Sequence, residues 1–352
     1  MAVVRPFRAL RYDPTVAGRL DSLVAPPYAV IGPEQREELA GQTEYNVVHL
    51  TLPDSDEEAA ADLAEWQEQG ALVRDPEPAC WWLAQEYVGP DGVARQREGF
   101  VAALRLEPYD NRVVLPHERT HAGPEAGRLR LLRATRTQLE PLFFLWDGTI
   151  ELDGLGEPEL SADEGGVVSR LWRLDEEFST ALVDELADAQ LLIADGHHRY
   201  ETALAFHDED GTAASAWLLA VIVPTGQEGL TIFPTHRVAQ AAGSAAGTAI
   251  DPPGDELPGP VLYRASRYEL LDGTGLDPEV VERAAPGGVT YTPRREEAVA
   301  TVDRGEAEAA FLLRPTRIED VWAVARRGDV MPQKSTFFYP KLTSGLLMLP
   351  LD

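Results

Sequence analysis

The stretch LLIADGHHRYETALAF, residues 191–206, decides the fold of this chain. Its first four residues are an apolar run typical of a buried strand, and from Tyr200 onward apolar side chains recur at helical spacing. Asp195 stands where a helix N-cap belongs, and Gly196 permits a tight turn or a close approach of the backbone to a ligand. The stretch therefore predicts a buried strand that turns directly into a helix.

Three basic residues follow the glycine and fall in the first turn of that predicted helix. A helix N-terminus carries partial positive charge and unpaired N–H groups, so each cation there costs up to roughly 1 kcal/mol unless an anion joins it. The sequence therefore favours a phosphate site built from the N–H groups, a histidine donor and a bidentate arginine. Its residues would be Gly196, His197, His198 and Arg199, with Asp195 placing a Mg²⁺ ion as counter-charge. The alternative is a buried histidine pair, with the arginine bridging to a carboxylate elsewhere.

The composition of the whole chain is that of a globular protein. Its 352 residues are enough for one large two-lobed body or for two to three domains. A net charge of -28 argues against binding to nucleic acid or anionic membranes, because the long-range field repels phosphate. The single cysteine, Cys80, is expected in the core and fits a reducing cytoplasm. With neither a signal peptide nor a bilayer-spanning run, we expect a cytoplasmic protein with a small-molecule substrate, and we predict no particular oligomeric state.

The rest of the chain has the pattern of a mixed α/β protein. Residues 45–52 are predicted as a strand, residues 54–70 as a helix with an acidic first turn, and residues 89–92 as the turn of a hairpin. A stretch rich in Pro and Gly, residues 238–261, predicts a linker or a domain boundary. The sequence then divides into an N-terminal α/β segment, a core with the DGHHR turn and a C-terminal α/β segment, at residues 1–108, 109–240 and 241–352.

A second polar cluster, His117-Glu118-Arg119-Thr120-His121, fits the H-E-x-x-H pattern of zinc peptidases. That pattern requires a continuous helix, and Pro116 before it and Gly123-Pro124 after it leave room for about two turns at most. A metallohydrolase using His117 and His121 is therefore a minor alternative. We expect Glu118, placed between a strand and a helix, to act as a general base that reaches the cleft of the DGHHR turn. A plain polar loop is the alternative.

Near the C-terminus, MPQKSTFFYPKLTSGL, residues 331–346, gathers lysines and hydroxyl groups in a chain with few lysines. Lys334, Ser335 and Lys341 are candidates for binding a substrate carboxylate or a phosphate. A polar loop that folds back on the core is an equal alternative. The chain has no P-loop, no G-x-G-x-x-G turn after a strand and no G-x-S-x-G elbow, so the sequence supports none of those three kinds of site.

Seven motifs together resemble the uncharacterised bacterial and archaeal family DUF 1015, from the first strand to the last few residues. Two departures from that family stand out. Ala29 replaces an acidic residue, and the region of residues 241–294 is shorter than the corresponding region of the family. The motifs are VAPPYAVI (24–31), YNVVHL (45–50), HERT (117–120), RLRLLRATR (128–136), ADGHHRYETAL (194–204), FPTHRV (233–238) and MPQKSTFFYPKLTSGL (331–346).

The order of elements around Glu118 and the DGHHR turn is also similar, more distantly, to the ParB/sulfiredoxin-like fold and its free serine kinases. This resemblance implies an α/β fold with a mixed sheet and a ParB/sulfiredoxin-like core, extended at both ends. It implies that the turn from Asp195 to Arg199 binds the phosphates of ATP or ADP, with Asp195 placing Mg²⁺. Asp195 and His197 are then catalytic residues, together with Glu118, which takes the proton of a substrate hydroxyl. The expected function is a nucleotide-dependent kinase acting on a small hydroxylated metabolite. Free serine is the first candidate, with His117, Thr120 and the C-terminal lysines on the substrate side. The alternative to catalysis is a nucleotide-binding switch.

Overall fold

The computed structural model of the chain describes residues 1–118, 126–149, 152, 154–243, 245–264, 266–285 and 287–352. The strands are, in chain order, β1 (Val4–Arg5), β2 (Leu10–Tyr12), β3 (Leu72–Arg74), β4 (Trp81–Val88), β5 (Ala94–Arg105), β6 (Val114–Leu115), β7 (Thr137–Gln138), β8 (Leu142–Trp146), β9 (Leu160–Glu164), β10 (Val167–Arg173), β11 (Leu191–Asp195), β12 (Trp217–Pro224), β13 (Thr231–Phe233), β14 (His236–Ala239), β15 (Thr248–Ile250), β16 (Val261–Arg264), β17 (Arg267–Leu270), β18 (Val289–Thr292), β19 (Ala309–Leu312), β20 (Phe337–Tyr339) and β21 (Leu349–Pro350). The α-helices are α1 (Pro14–Ala17), α2 (Pro33–Ala40), α3 (Val48–Thr51), α4 (Asp56–Glu68), α5 (Ala126–Thr135), α6 (Glu176–Leu186), α7 (His197–Asp210), α8 (Asp277–Ala284), α9 (Arg295–Asp303) and α10 (Ile318–Arg327).

A mixed sheet of nine strands forms the main lobe. Its strand order is β6-β11-β8-β12-β5-β4-β10-β9, and β1 also pairs with β5. Two neighbouring pairs are parallel, β6 with β11 and β8 with β12, and the other pairs are antiparallel. The predicted α/β class with a mixed sheet is confirmed.

Both faces of the main sheet are buried, and successive side chains of each strand point to opposite faces. Trp81 packs with the C-terminal residues on one face, whereas Cys80 and Trp82 pack with α6 and α7 on the other. All three side chains are buried, so the expected place of Cys80 in the core is confirmed. A sheet covered on both faces must present its ligand-binding groups at a strand end.

A six-stranded antiparallel sheet forms a second lobe, in the order β15-β17-β16-β19-β14-β18. The stretch 238–261, predicted as a linker or a domain boundary, contains the edge strand β15 and reaches the start of β16, so it is not a plain linker. An edge strand has a partner on one side only, which suits small and polar side chains. Residues 1–108 and 109–240 contribute strands to the same main sheet, and the division of the sequence at residues 108 and 240 stays a prediction.

The predicted helix at residues 54–70 is confirmed as α4, which begins after Ser55, whose Oγ accepts a hydrogen bond from the Glu58 amide at 3.1 Å. The hairpin is also confirmed, because β4 and β5 pair across Gly89 to Gly92. The strand predicted at residues 45–52 is wrong, since this segment contains the short helix α3. Asn46 explains the difference: its Oδ1 accepts from the Val48 amide at 2.9 Å and its Nδ2 donates to the Ser22 carbonyl at 2.8 Å.

The C-terminal segment, residues 331–351, returns from the second lobe to the main lobe. Within it, β20 pairs with β13 and β21 pairs with β7. Met331, Phe338, Leu342 and Leu349 are buried against the main sheet. The segment therefore covers one face of the sheet and belongs to the core of the main lobe. None of the described helices has the length and apolar character that crossing a membrane requires.

Candidate functional site

The pairing of β6 with β11 brings the two predicted clusters together. These strands are parallel neighbours, with Val114 opposite Leu191 and Leu115 opposite Leu192. Because parallel neighbours end at the same edge, residues that follow β6 and residues that end β11 meet there. A cavity of about 290 Å³ lies at this edge, between the main lobe, the second lobe and the C-terminal segment, and it is called the turn cavity below.

The turn after β11 has the backbone that the sequence predicts, with one correction. Gly196, not Asp195, is the N-cap of α7, and Asp195 is the last residue of β11. Gly196 has φ 100° and ψ 24°, in the left-handed region, and a Cβ at this position would lie 3.1 Å from Leu142 Cγ. Glycine is therefore required here both by conformation and by space.

The N-terminus of α7 opens on the turn cavity without a side-chain cap among the described residues. The first hydrogen bond inside the helix runs from the Tyr200 amide to the Gly196 carbonyl at 2.9 Å. The N–H groups of residues 197–199 consequently have no partner within the helix. Together with the partial positive charge of the helix end, they make this wall of the cavity suited to an anion.

Asp195 lies between two cations that line the same cavity. Lys341 Nζ is 2.5 Å from Asp195 Oδ1, and Arg199 Nη2 is 3.1 Å from Oδ2. Burial alone would raise the pKa of Asp195, but the charges of Lys341 and Arg199 outweigh it and hold the pKa well below its usual range. The carboxylate therefore stays ionised and ties the C-terminal segment to α7.

A Mg²⁺ ion held by Asp195 does not fit this arrangement. Each carboxylate oxygen already has a cationic partner, and a metal ion would have to displace Lys341 or Arg199. In the described part of the chain, no three His, Cys, Asp or Glu side chains are grouped as a metal site.

His117 and His197 form a buried pair behind the cavity wall, with ring centroids 4.8 Å apart. His117 Nδ1 donates to the Ile193 carbonyl at 2.7 Å, so Nε2 accepts from Thr336 Oγ1 at 2.9 Å. Burial lowers the pKa of His117 to about 4 and lowers the pKa of His197 well below its usual value. Both rings are neutral, and both nitrogens of His117 are engaged. A zinc ligand at this position does not fit, and His121 and Thr120 lie outside the described residues.

The other residues of the DGHHR turn face the cavity. His197 lines it but is 9% exposed, whereas His198 is half-buried and its Nδ1 is buried with no hydrogen-bond partner among the described residues. Arg199 also lines the cavity, and its Nη1 donates to the Pro141 carbonyl at 2.7 Å. The free helix amides and a histidine with one unpaired ring nitrogen therefore lie beside each other at this wall.

Glu118 lies on another wall of the turn cavity, held by the C-terminal segment. Its Oε1 accepts from the backbone amide of Lys334 at 2.9 Å, and Met331 donates its amide to the His117 carbonyl at 2.8 Å. Burial raises the pKa of Glu118, and the hydrogen bond from Lys334 opposes part of that rise. The carboxyl group is thus a better proton acceptor near neutral pH than an exposed glutamate.

The C-terminal motif divides between cavity and core. Lys334 and Lys341 line the turn cavity with Glu118, whereas Ser335 is buried outside its lining and donates from Oγ to the Pro332 carbonyl at 2.5 Å. The structure therefore brings two of the three predicted C-terminal residues to the DGHHR turn.

Several lining residues have no signal of their own in the sequence. Tyr291 and Thr292 come from β18 of the second lobe, whereas Thr336 belongs to the C-terminal motif and also bonds to His117. Ala29, from the motif at residues 24–31, also lines the cavity. The motif at residues 24–31 was the signal in the sequence for the part of the wall that contains Ala29.

Three solved structures are similar to this chain at low sequence identity. A free serine kinase in complex with AMP has a TM-score of 0.38 and 16% identity, with 70% of this chain and 92% of that chain covered. A conserved hypothetical protein from Pyrococcus furiosus has a TM-score of 0.37 and 16% identity, covering 70% and 95%. SbnI from Staphylococcus aureus, with a C-terminal truncation, has a TM-score of 0.40 and 13% identity, covering 70% and 87%.

No curated protein matches the chain. The family described as "Protein of unknown function (DUF1015)" matches residues 4–250, which include the main sheet and the DGHHR turn. The match spans more than half of the 352 residues. The chain therefore belongs to the DUF1015 family.

Proposed function

We propose that this chain is a nucleotide-dependent phosphotransferase acting on a small hydroxylated metabolite. One observation carries the proposal: an uncapped helix N-terminus, two lysines and a half-buried carboxyl group with a raised pKa line the same cavity. The first two are the groups that bind phosphate, and the third is the group that activates a hydroxyl. Free serine is the first candidate acceptor, on the resemblance to free serine kinases described above.

The phosphate groups of ATP or ADP would lie against the start of α7. The amides of residues 197–199 would donate to the phosphate oxygens, and Arg199 and Lys341 would supply positive charge. Since Asp195 already shares these two cations, a phosphate would compete with it for Lys341. His198 Nδ1, the unpaired ring nitrogen, gives a further donor or acceptor at this wall.

Glu118 would accept the proton of the substrate hydroxyl. The hydroxyl oxygen then forms a bond to the terminal phosphorus, the bond from that phosphorus to the bridging oxygen breaks, and its electron pair stays on the leaving nucleotide. Such a transfer depends mainly on positioning and on stabilisation of negative charge, which the helix amides, Arg199 and Lys341 supply. No step is assigned to Mg²⁺, because Asp195 does not fit as its ligand.

The test is a kinase assay with ATP or ADP and serine, with phosphoserine measured by mass spectrometry. Glu118→Gln should lower turnover by about 100-fold or more with nucleotide affinity retained, because it removes the base but not the phosphate site. Arg199→Ala should weaken nucleotide binding itself. Arg133→Ala is the control, since Arg133 pairs with Glu209 at the surface of α5 and α7. Unchanged turnover in Glu118→Gln would refute the mechanism.

A nucleotide-dependent switch is the second candidate, and the Asp195–Lys341 ion pair favours it. A phosphate that draws Lys341 away would loosen the tie between α7 and the C-terminal segment. This function predicts nucleotide binding without product, together with faster hydrogen exchange in residues 331–347 on addition of ADP. Product formation with unchanged exchange would leave the phosphotransferase as the function.

A further inference from the structure

A second, smaller cavity, of about 50 Å³, lies among α3, α5, β7 and α7, and it is called the small cavity below. Arg199 lines both this cavity and the turn cavity. The other described residues of the small cavity do not line the turn cavity, and the proposed phosphotransferase uses none of them. Since a buried water needs about 10–15 Å³, the small cavity has room for about three or four waters or for one small ion, and not for a nucleotide.

Three buried side chains that line the small cavity each have a polar atom without a hydrogen-bond partner among the described residues. These atoms are Thr51 Oγ1, Gln138 Nε2 and Thr202 Oγ1. The three residues are 0%, 7% and 3% exposed, in that order. Buried polar groups in folded proteins are nearly always hydrogen-bonded, because leaving one unpaired destabilises the fold. Three such atoms around one cavity therefore indicate that the cavity is occupied.

Two arginines give the small cavity its positive charge. Arg128 Nη1 donates to the Thr51 carbonyl at 2.6 Å, and within the described part of the chain Arg128 forms no ion pair. Arg199 contacts Asp195, but this carboxylate also neutralises Lys341. One carboxylate cannot cancel two cations, so the lining keeps positive charge on both arginines.

One carboxylate, Glu140, also lines the small cavity. It is 6% exposed, and its Oε1 accepts from the Tyr28 amide at 2.9 Å and from Ser344 Oγ at 3.0 Å. The two arginines exceed this single carboxylate by one positive charge. The unpaired amide nitrogen can only donate, and the two unpaired hydroxyls are able to donate. Three available donors and an excess of one positive charge match a small anion with several oxygen atoms.

We propose that the small cavity binds a small inorganic oxyanion, phosphate or an ion of its size and charge. The oxygen atoms of the anion would accept from Thr51 Oγ1, Thr202 Oγ1 and Gln138 Nε2. Arg128 and Arg199 would supply the positive charge. Water in the cavity would satisfy the hydroxyls, but it would leave the excess charge without a counter-ion, which favours the anion.

The experiment is calorimetric titration of the full chain with inorganic phosphate at a constant chloride concentration. We expect phosphate to bind with a Kd of about 1 mM or tighter. The double variant Thr51→Val/Thr202→Val should weaken phosphate binding about tenfold or more, because two hydrogen bonds to a charged acceptor are lost. Neither hydroxyl has a partner among the described residues, so this variant breaks no hydrogen bond of the fold.

The matched control is Thr235→Val. Thr235 is 8% exposed and its Oγ1 is likewise unpaired within the described residues, but it lines the turn cavity. The control should bind phosphate as the unchanged chain does. Equal phosphate affinity in the double variant and the control would overturn the proposal.

Two other outcomes would also overturn the proposal. Absence of any phosphate binding would leave the small cavity to water. Phosphate bound at the start of α7 would be weakened by Lys341→Met and not by the two valines, because Lys341 lines only the turn cavity. ADP binding by the unchanged chain is measured separately, and its absence would refute the nucleotide site alone, so the two proposals can fail independently.

Discussion

Arg97 is a charged side chain in the core, close enough to the turn cavity to interact with Asp195. It is 1% exposed, its Nη2 donates to Gln85 Oε1, and within the described residues its Nε and Nη1 have no partner. Its guanidinium lies 4.6 Å from the centre of the Phe143 ring, and burial lowers its pKa to about 10. A buried cation with so few partners lowers stability, and its charge adds to the positive potential around Asp195.

Replacing Arg97 by methionine should therefore have little effect on stability. Arg97→Met removes the desolvation cost of a charge while filling much of its volume, and we expect the free energy of unfolding to fall by less than about 1 kcal/mol or to rise. Urea unfolding at pH 7 measures this. A loss of 3 kcal/mol or more, within the typical range for breaking a buried ion pair, would show that Arg97 has a partner that offsets its charge.

Lys341 controls the ionisation of Asp195. Lys341→Met should raise the pKa of Asp195, because it removes the charge 2.5 Å from Oδ1 and leaves the effect of burial opposed mainly by Arg199. Carboxyl carbon NMR of the labelled protein follows the titration. Lys334→Met is the matched control, since Lys334 contacts Glu118 through its backbone amide, which the change preserves. An Asp195 titration identical in both variants would contradict the assignment.

At the scale of the element, the start of α7 depends on Gly196. Gly196→Ala should lower the free energy of unfolding by about 1–3 kcal/mol, because alanine is strained at φ 100° and its Cβ would crowd Leu142. Gly211→Ala is the control, since Gly211 caps the other end of the same helix at φ 64° with no atom within 4 Å of its Cβ. Thermal unfolding of the pair measures the difference. Equal losses would mean that space at the turn is unimportant.

Elements whose signals are local could be predicted from the sequence. The β11–α7 turn and α4 follow from neighbouring residues, through Gly196 and Ser55. The helix α3 could not be predicted in this way, because Asn46 fixes it through carbonyl groups more than twenty residues earlier in the chain. The wall formed by Thr336 depends in the same way on distant His117. The residues of the site that follow a strand end, such as those of the DGHHR turn, could be predicted from the sequence. The residues that the second lobe or a distant side chain brings to the site could not.

The whole molecule should lose stability in mild acid. His117, His197 and His236 are buried and neutral, and burial lowers the pKa of His117 and His236 from 6.5 to about 4. The unfolded chain binds protons below pH 6.5 that the folded chain does not bind until near pH 4. Stability is therefore lost as the pH falls through this window, by about 1.6 kcal/mol for His117 and the same for His236 between pH 6.5 and 5. The raised pKa of Glu118 opposes a small part of this loss.

Urea unfolding at pH 7 and pH 5 tests the acid dependence. His236→Asn should make the free energy of unfolding differ less between pH 7 and pH 5. The reduction should equal the contribution of one histidine, since asparagine does not titrate. Equal free energies of unfolding at the two pH values would show that the three rings are protonated without opening the fold.

The position of the C-terminal segment in the core has a consequence for how the protein is made. Phe338, Leu342 and Leu349 fill the main sheet, and the Met348 amide donates to the Leu10 carbonyl at 2.9 Å, near the other end of the chain. The second lobe, residues 236–312, is synthesised before these residues and can fold while the ribosome still holds them. Synthesis of the main lobe begins first, but its folding finishes last, since its core is incomplete until residue 351 has emerged. During synthesis its sheet is thus the part of the protein that most needs protection by chaperones.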